Sequence, residues 1–300
     1  MRPVGQMATH AETLGLAPQP VNGFVSNPCD QGRRLAAGLV LGDNPHVDIS
    51  SNIAGRSRML VIVPAHNEAA SLPDVLADLA KHAPQADIAV VDDGSIDNTA
   101  AVARAAGATV LPLPCNLGVG GAMQTGYMYA ADSGYDVAVQ FDGDGQHRAN
   151  LIAQLAGPAL TGQADLVVGS RLLGGLKFRF HPLRFLGNRM LAMLISAIGH
   201  RKVTDPTSGF RAAGRRAMRF FAAHYPQTYL GDTAEALVWA ERAGLKITEI
   251  PVRMRQRTAG ESAIRNLKGF WLTMRIVLAI LVDCLESRIV LDEDQQEGRQ

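Results

Sequence analysis

The chain has 300 residues, 47% of them hydrophobic, enough to bury a full α/β core with room for appendages. A formal net charge of +1 gives no global field, so nothing in the balance points to nucleic acid. Three cysteines, Cys29, Cys115 and Cys284, show no paired metal-ligand spacing and leave one over if two pair, which points to a reducing, cytoplasmic compartment.

Residues 1–57 lack sustained periodicity and are rich in Gly, Pro, Asn and Ser, which predicts a mostly irregular extension. Arg33 and Arg34 precede a short apolar run too far from the terminus to read as an export signal. No stretch approaches the roughly 20 apolar residues that span a bilayer. The longest, 276–282, is closed by Arg275 and Asp283, so a soluble or peripheral protein is expected. From Met59 onward the pattern predicts strands over 59–64, 88–91, 108–113 and 137–141, with helices over 71–82, 98–106 and 120–133 between them. That alternation predicts an α/β domain over 58–285, with a mainly parallel, Rossmann-like sheet flanked by helices. An amphipathic helix over 264–285 closes it and a polar tail, 286–300, follows.

Ligands of such sheets sit beyond the carboxyl ends of the strands. Pro64 to Glu68, Asp92 to Ser95 and Asp142 to His147 all fall there. Val137, Val139 and Phe141 alternate like a strand, so Asp142 and Asp144 leave its end on one side with a glycine between them. Paired hard oxygen ligands suit Mg²⁺ or Mn²⁺; taken alone, Asp-Gly-Asp reads sooner as a solvated turn, since Gly and Asp are ordinary turn residues. Charge is unevenly placed: between Arg171 and Arg219 there are eleven Lys and Arg against a single acid, Asp205. Such a segment suits phosphates or anionic lipid, or solvated helix faces. Within it, residues 178–200 mix aromatic, aliphatic and basic side chains, either an interfacial amphipathic element or a core helix with snorkelling bases.

Six segments in order, Val61-Ile-Val-Pro64-Ala65-His66-Asn67-Glu68, Val91-Asp92-Asp93-Gly-Ser95, Asn116-Leu-Gly118-Val-Gly-Gly121, Asp142-Gly-Asp144-Gly-Gln146-His147, Gly169-Ser-Arg171 and Thr204-Asp-Pro-Thr-Ser-Gly-Phe-Arg211, resemble family 2 glycosyltransferases of GT-A fold. The nearest branch is similar to dolichyl-phosphate mannosyltransferases and bacterial polyprenyl-phosphate glycosyltransferases. The resemblance implies that Pro64, Ala65, Asn67 and Glu68 wrap the nucleoside, that Asp92 meets the nucleobase with Asp93 beside it, and that Gly118 lies in a turn against the donor. It implies a Mg²⁺ or Mn²⁺ ion on Asp142, Asp144 and Gln146, with His147 a hydrogen-bonding or capping residue ahead of a ligand. Arg148 departs from the acid expected there. Arg171 and Arg211 are implied to face the acceptor phosphate or donor diphosphate, with Thr207 and Ser208 as hydroxyl donors. Residues 251–262 resemble a basic loop closing over the diphosphate through Arg253, Arg255 and Arg257, with Glu261 a departure. For a catalytic base the choice lies between Asp232 and Glu235, with Glu235 preferred; an anionic phosphate acceptor needs none.

The expected activity is metal-dependent, inverting transfer of a hexose from a nucleotide-diphosphate sugar, of GDP-mannose or UDP-glucose type, to a polyprenyl phosphate, by a cytoplasmic protein at the inner face of the membrane. Transfer to a hydroxyl of a glycan or small molecule, nucleotidyl transfer, and non-catalytic sugar-nucleotide binding are the alternatives. Sugar, nucleobase, oligomeric state and the purpose of residues 1–57 are not legible.

Overall fold

A computed structural model describes residues 57–173, 182–199, 202–226, 232–255 and 277–278. The N-terminal extension, Cys29, Cys284, Arg257, residues 256–262, nearly all of the 264–285 helix and the polar tail lie outside the described residues.

Seven strands form one sheet in the order β3-β2-β1-β4-β6-β5-β7. They are β1 (Met59–Ala65), β2 (Ala86–Asp92), β3 (Thr109–Pro112), β4 (Val137–Gln140), β5 (Leu166–Ser170), β6 (Arg211–Gly214) and β7 (Ile247–Pro251). Helices α1 (Leu72–His82), α2 (Thr99–Ala105), α3 (Gly118–Asp132), α4 (Ile152–Leu160), α5 (Pro182–Gly199), α6 (Arg215–Ala223) and α7 (Asp232–Arg242) connect them. β1, β2, β3 and β4 pair in parallel, as the alternation predicts, and β5 pairs in parallel with β7. β6 is antiparallel to both β4 and β5. The first residue of β6 therefore lies at the edge where its neighbours end, and residues 204–210 reach the same edge.

The helices form for local reasons. In α1, Leu72, Val75, Leu76 and Leu79 fall at the i, i+3, i+4, i+7 spacing of one face and are all buried. Asp74 in the first turn and Lys81 and His82 in the last suit the helix dipole. Two apolar layers follow from the strand pleat. Leu60, Ile62, Ala138 and Ala213 face one layer with Met123, Tyr127, Leu237 and Phe221; Val61, Val63, Val139 and Ala212 face the other with Leu76, Leu79, Ile152 and Leu155. With both faces covered, the interior strands read as continuous apolar runs.

Candidate active site

The edge formed by the ends of β1, β2, β4 and β5 and the start of β6 gathers most of the residues singled out above. Asn67 adopts a left-handed conformation, φ 55°, uncommon outside glycine. Three hydrogen bonds hold it: its N–H donates to Ser95 Oγ (2.9 Å), its Oδ1 accepts from Ile96 N (2.9 Å), and its Nδ2 lies 3.0 Å from His66 Nε2. His66 Nδ1 sits 2.7 Å from the Asp93 carbonyl. The β1 and β2 loops are thus zipped together before any ligand arrives. Asp92 accepts from Ser95 N (3.1 Å) within its own turn, and Glu68 accepts from Ser71 Oγ at the start of α1.

Asp93 caps α3. Its two carboxylate oxygens accept from Leu117 N (2.7 Å) and Gly118 N (2.9 Å), the free amides at the start of α3. Burial raises its pKa above the usual carboxylate range, against the pull of those two donors and of His66. Two adjacent acids at one strand end therefore do different things: Asp92 shapes its turn and Asp93 anchors a helix.

The loop after β4 carries Asp142, Asp144 and Gln146. The Asp142 backbone N–H donates to His147 Nδ1 (3.0 Å), so the neutral imidazole carries its proton on Nε2, which faces Asp142 Oδ2 at 3.4 Å. Burial lowers the His147 pKa despite the Asp142 and Asp144 carboxylates nearby, and the ring stacks on Phe210 at 4.7 Å. Asp144 Oδ1 accepts from Gln146 N (3.0 Å). A Cβ at Gly143 would lie 3.5 Å from the Pro64 carbonyl and 4.0 Å from Glu68 Cγ, so this loop rests on the loop that follows β1. The Asp142 side chain is 37% exposed, and Asp144 and Gln146 are also partly open. Two carboxylates and a carboxamide are the hard oxygen donors that Mg²⁺ or Mn²⁺ takes. Among the described residues no three His, Cys, Asp or Glu side chains gather into a shell. This donor set fits a divalent ion whose shell a substrate completes.

The arginines are placed unexpectedly. Arg171, nearly buried, makes a bidentate pair with fully buried Asp205 (Nε to Oδ2, 2.6 Å; Nη2 to Oδ1, 2.7 Å) and donates from its backbone to the same carboxylate. Its Nη2 also donates to Thr207 Oγ1 (2.9 Å), which lies 3.0 Å from Asn188 Oδ1 on α5. Arg211 is fully buried and donates to the Ser208 and Pro206 carbonyls (2.8 and 2.9 Å). Ser208 Oγ donates to the Gly169 carbonyl at 2.6 Å. These groups build the loop over 204–210. Arg255 donates from its backbone to the Gln146 carbonyl (2.9 Å) and from its guanidinium to both Asp78 oxygens (3.1 and 3.2 Å). Glu235 is buried in the first turn of α7, and the side chain of Asp232 lies outside the described residues.

Four residues that sequence reasoning passed over shape this edge. Asp205 carries Arg171, Asp78 carries Arg255, and Glu249 of β7 accepts from Thr204 N, Thr204 Oγ1 and Asp205 N at 2.8–3.0 Å. Gln140, last in β4, points its Nε2 at Asp142 Oδ1 (3.3 Å). For Asp205 the signal was present: it is the one acid among eleven bases.

The glycosyl transferase family 2 model matches residues 60–224. The chain is 32% identical over 211 residues to a UDP-N-acetylglucosamine–dolichyl-phosphate N-acetylglucosaminyltransferase of Methanococcus voltae, covering 64% of this chain and 84% of that one. It is 32% identical over 216 residues to an undecaprenyl-phosphate mannosyltransferase of Micrococcus luteus, covering 68% and 86%. Among solved structures it resembles glucosyl-3-phosphoglycerate synthase of Mycobacterium tuberculosis in complex with Mn²⁺ and UDP-glucose, with TM-score 0.57, 26% identity and coverage of 80% and 84%. The expected GT-A architecture is the one observed.

Proposed function

The chain belongs to glycosyl transferase family 2, and from that premise we propose that it moves a hexose from a nucleotide-diphosphate sugar to a polyprenyl phosphate, with inversion, using a divalent cation. The observation that carries the reading is the contact of the Asp142–Asp144 loop with Pro64 and Glu68, which brings a paired-carboxylate ligand set against a loop suited to a nucleoside. The loop over 92–95, locked to Asn67, supplies the other wall. Asp142, Asp144 and Gln146 would hold the ion, which when bound takes up negative charge on the departing diphosphate. Asp92 and Glu68 serve the nucleoside, and Asn67 keeps their loops in register. A phosphate acceptor is already an anionic nucleophile, so the buried Glu235 is not needed as a base. Direct displacement by that oxygen inverts the anomeric carbon.

Two features support a lipid acceptor. The relatives named above act on dolichyl and undecaprenyl phosphates by their names. On α5, Phe185, Leu186 and Met193 are exposed large apolar side chains, with exposed Arg189 on the same stripe. An apolar stripe with a base on it suits the surface of an anionic membrane, where the lipid phosphate lies. No helix among the described residues is long and apolar enough to cross a membrane. The test is Mn²⁺-dependent transfer of label from GDP- and UDP-sugars into organic-extractable lipid with polyprenyl phosphate in detergent. Label in the lipid phase is expected. Nucleoside diphosphate release only with soluble hydroxyl acceptors would overturn the lipid assignment.

A further inference from the structure

We propose that Gln140 is a positioning residue that sets the Asp142 carboxylate for its ion, an inference that rests on the metal-dependent reading above. Gln140 ends a strand whose other residues, Val137, Ala138 and Val139, are buried and apolar, and it is itself 1% exposed. A primary amide in such a place is unfavourable for folding alone, because an apolar side chain of the same size leaves nothing unpaired. This one has a task. Its Nε2 donates to Asp142 Oδ1 at 3.3 Å, while His147 Nε2 faces Asp142 Oδ2 at 3.4 Å. Each carboxylate oxygen thus has one neutral N–H beside it and keeps lone-pair capacity for an ion. The carboxamide has only one workable orientation, since flipping it would set Oε1 against the carboxylate.

The surroundings fix the amide in that pose. Gln140 pairs across the sheet with Arg211, and directly opposed residues of an antiparallel pair project to the same face. Gln140 Oε1 and Arg211 Nη1 are both buried without a hydrogen-bond partner, an acceptor and a cationic donor on one side of the sheet. That field favours Oε1 toward the arginine and Nε2 toward Asp142. Gly209 closes the third side: a Cβ there would sit 3.0 Å from both Gln140 Nε2 and Asp142 Oδ2. The amide therefore fits a slot defined by the buried arginine, the chain at 209 and the ligand carboxylate. Supporting groups of this kind orient metal ligands, and their loss weakens metal affinity by about 10–100-fold.

The experiment is Mn²⁺ titration of the full-length protein, followed by electron paramagnetic resonance with UDP and with GDP, for wild type, Gln140→Leu and Gln140→Met, alongside thermal melting. Both variants are expected to bind Mn²⁺ about tenfold or more weakly while melting no lower than wild type, because a buried unpaired acceptor has been removed. A purely structural role predicts the reverse, a lower melting temperature with unchanged Mn²⁺ affinity. Wild-type uptake of Mn²⁺ that is matched by a folded variant overturns this inference alone. Absence of uptake by the wild type with either nucleotide overturns it together with the reading it rests on.

Discussion

Replacing Asp205 by Asn tests the internal support of the loop over 204–210. Asp205 is fully buried and takes three donors from Arg171, its Nε (2.6 Å), Nη2 (2.7 Å) and backbone N–H (3.0 Å). Asn has nearly the same shape but no charge, and its NH₂ would oppose one arm of a guanidinium that is itself buried. Breaking a buried pair by removing one partner costs about 3–5 kcal/mol, because the remaining charge is uncompensated. At about 2–4 °C per kcal/mol for a chain of this size, the melting temperature should fall by roughly 6–20 °C. The pH dependence gives a second readout. Burial alone would raise the Asp205 pKa, but hydrogen bonds and charge from Arg171 hold it below the ordinary 3.8. A carboxylate with a depressed folded pKa contributes stability that is present above its unfolded value and lost as pH falls through the folded one. The gap between wild type and Asp205→Asn should therefore be constant near neutrality and shrink below about pH 4. The double variant Arg171→Met, Asp205→Leu should recover much of the loss, since an apolar pair of similar volume tolerates burial. Urea denaturation and thermal melting by circular dichroism from pH 3 to 8 decide the matter. A single variant that melts within 2 °C of wild type would refute the claim that this pair supports the loop over 204–210.

Other substitutions separate chemistry from folding. Asp144→Ala should lower sugar transfer by several orders of magnitude with the melting temperature nearly unchanged, because the side chain proposed to hold the ion is partly exposed and outside the apolar core; label transfer at saturating Mn²⁺ checks it, and near-wild-type turnover would remove Asp144 from the ligand set. Gly209→Ala places a methyl 3.0 Å from Asp142 Oδ2 and from Gln140 Nε2, so it should weaken Mn²⁺-dependent transfer at least about tenfold while the secondary structure persists. Combining Phe185→Ser, Leu186→Ser and Met193→Ser should cut co-sedimentation with anionic phospholipid vesicles severalfold and leave donor binding unchanged, since all three side chains point to solvent on α5. Equal vesicle binding by that variant would separate α5 from the membrane surface.

What the sequence made legible was what local period and strand ends encode. The alternation of Val137, Val139 and Phe141 located β4 and its carboxylates, and the apolar run from Met59 located β1. β6 was not legible, because Arg211–Gly214 is four residues of no distinct period and its direction depends on pairing with two strands. Side-chain partners were hidden for the same reason. Arg171 and Asp205 are 34 residues apart and Arg255 and Asp78 are 177 apart, so proximity arises only from the sheet order. A basic segment read one residue at a time suggests many free cations, whereas folding gives two of the marked arginines internal acids and buries a third among backbone carbonyls.

The two sides of the site are built differently, and under the proposed function that difference bears on which acceptor it would take. On the side proposed for the nucleotide, loops are tied by side chain to backbone, Asn67 to Ser95 and Ile96, His66 to the Asp93 carbonyl and Asp93 to the start of α3, and by one backbone bond from Arg255 N to the Gln146 carbonyl. Such bonds fix geometry at little dependence on salt, and they leave Asp92, Glu68 and the Asp142–Gln146 loop at one edge, an arrangement that would suit the proposed charged donor. On the opposite side, Asn188 of α5 is buried and reaches Thr207, which joins the Arg171–Asp205 pair, while the other face of the same helix exposes Leu186, Arg189 and Met193. One helix thus carries, on one face, the hydrogen bond between Asn188 and the loop over 204–210 and, on another, an exposed apolar stripe. An acceptor with a phosphate head and a long apolar tail would need both features together, whereas a small hydroxyl acceptor would need neither the exposed stripe nor its link to the site.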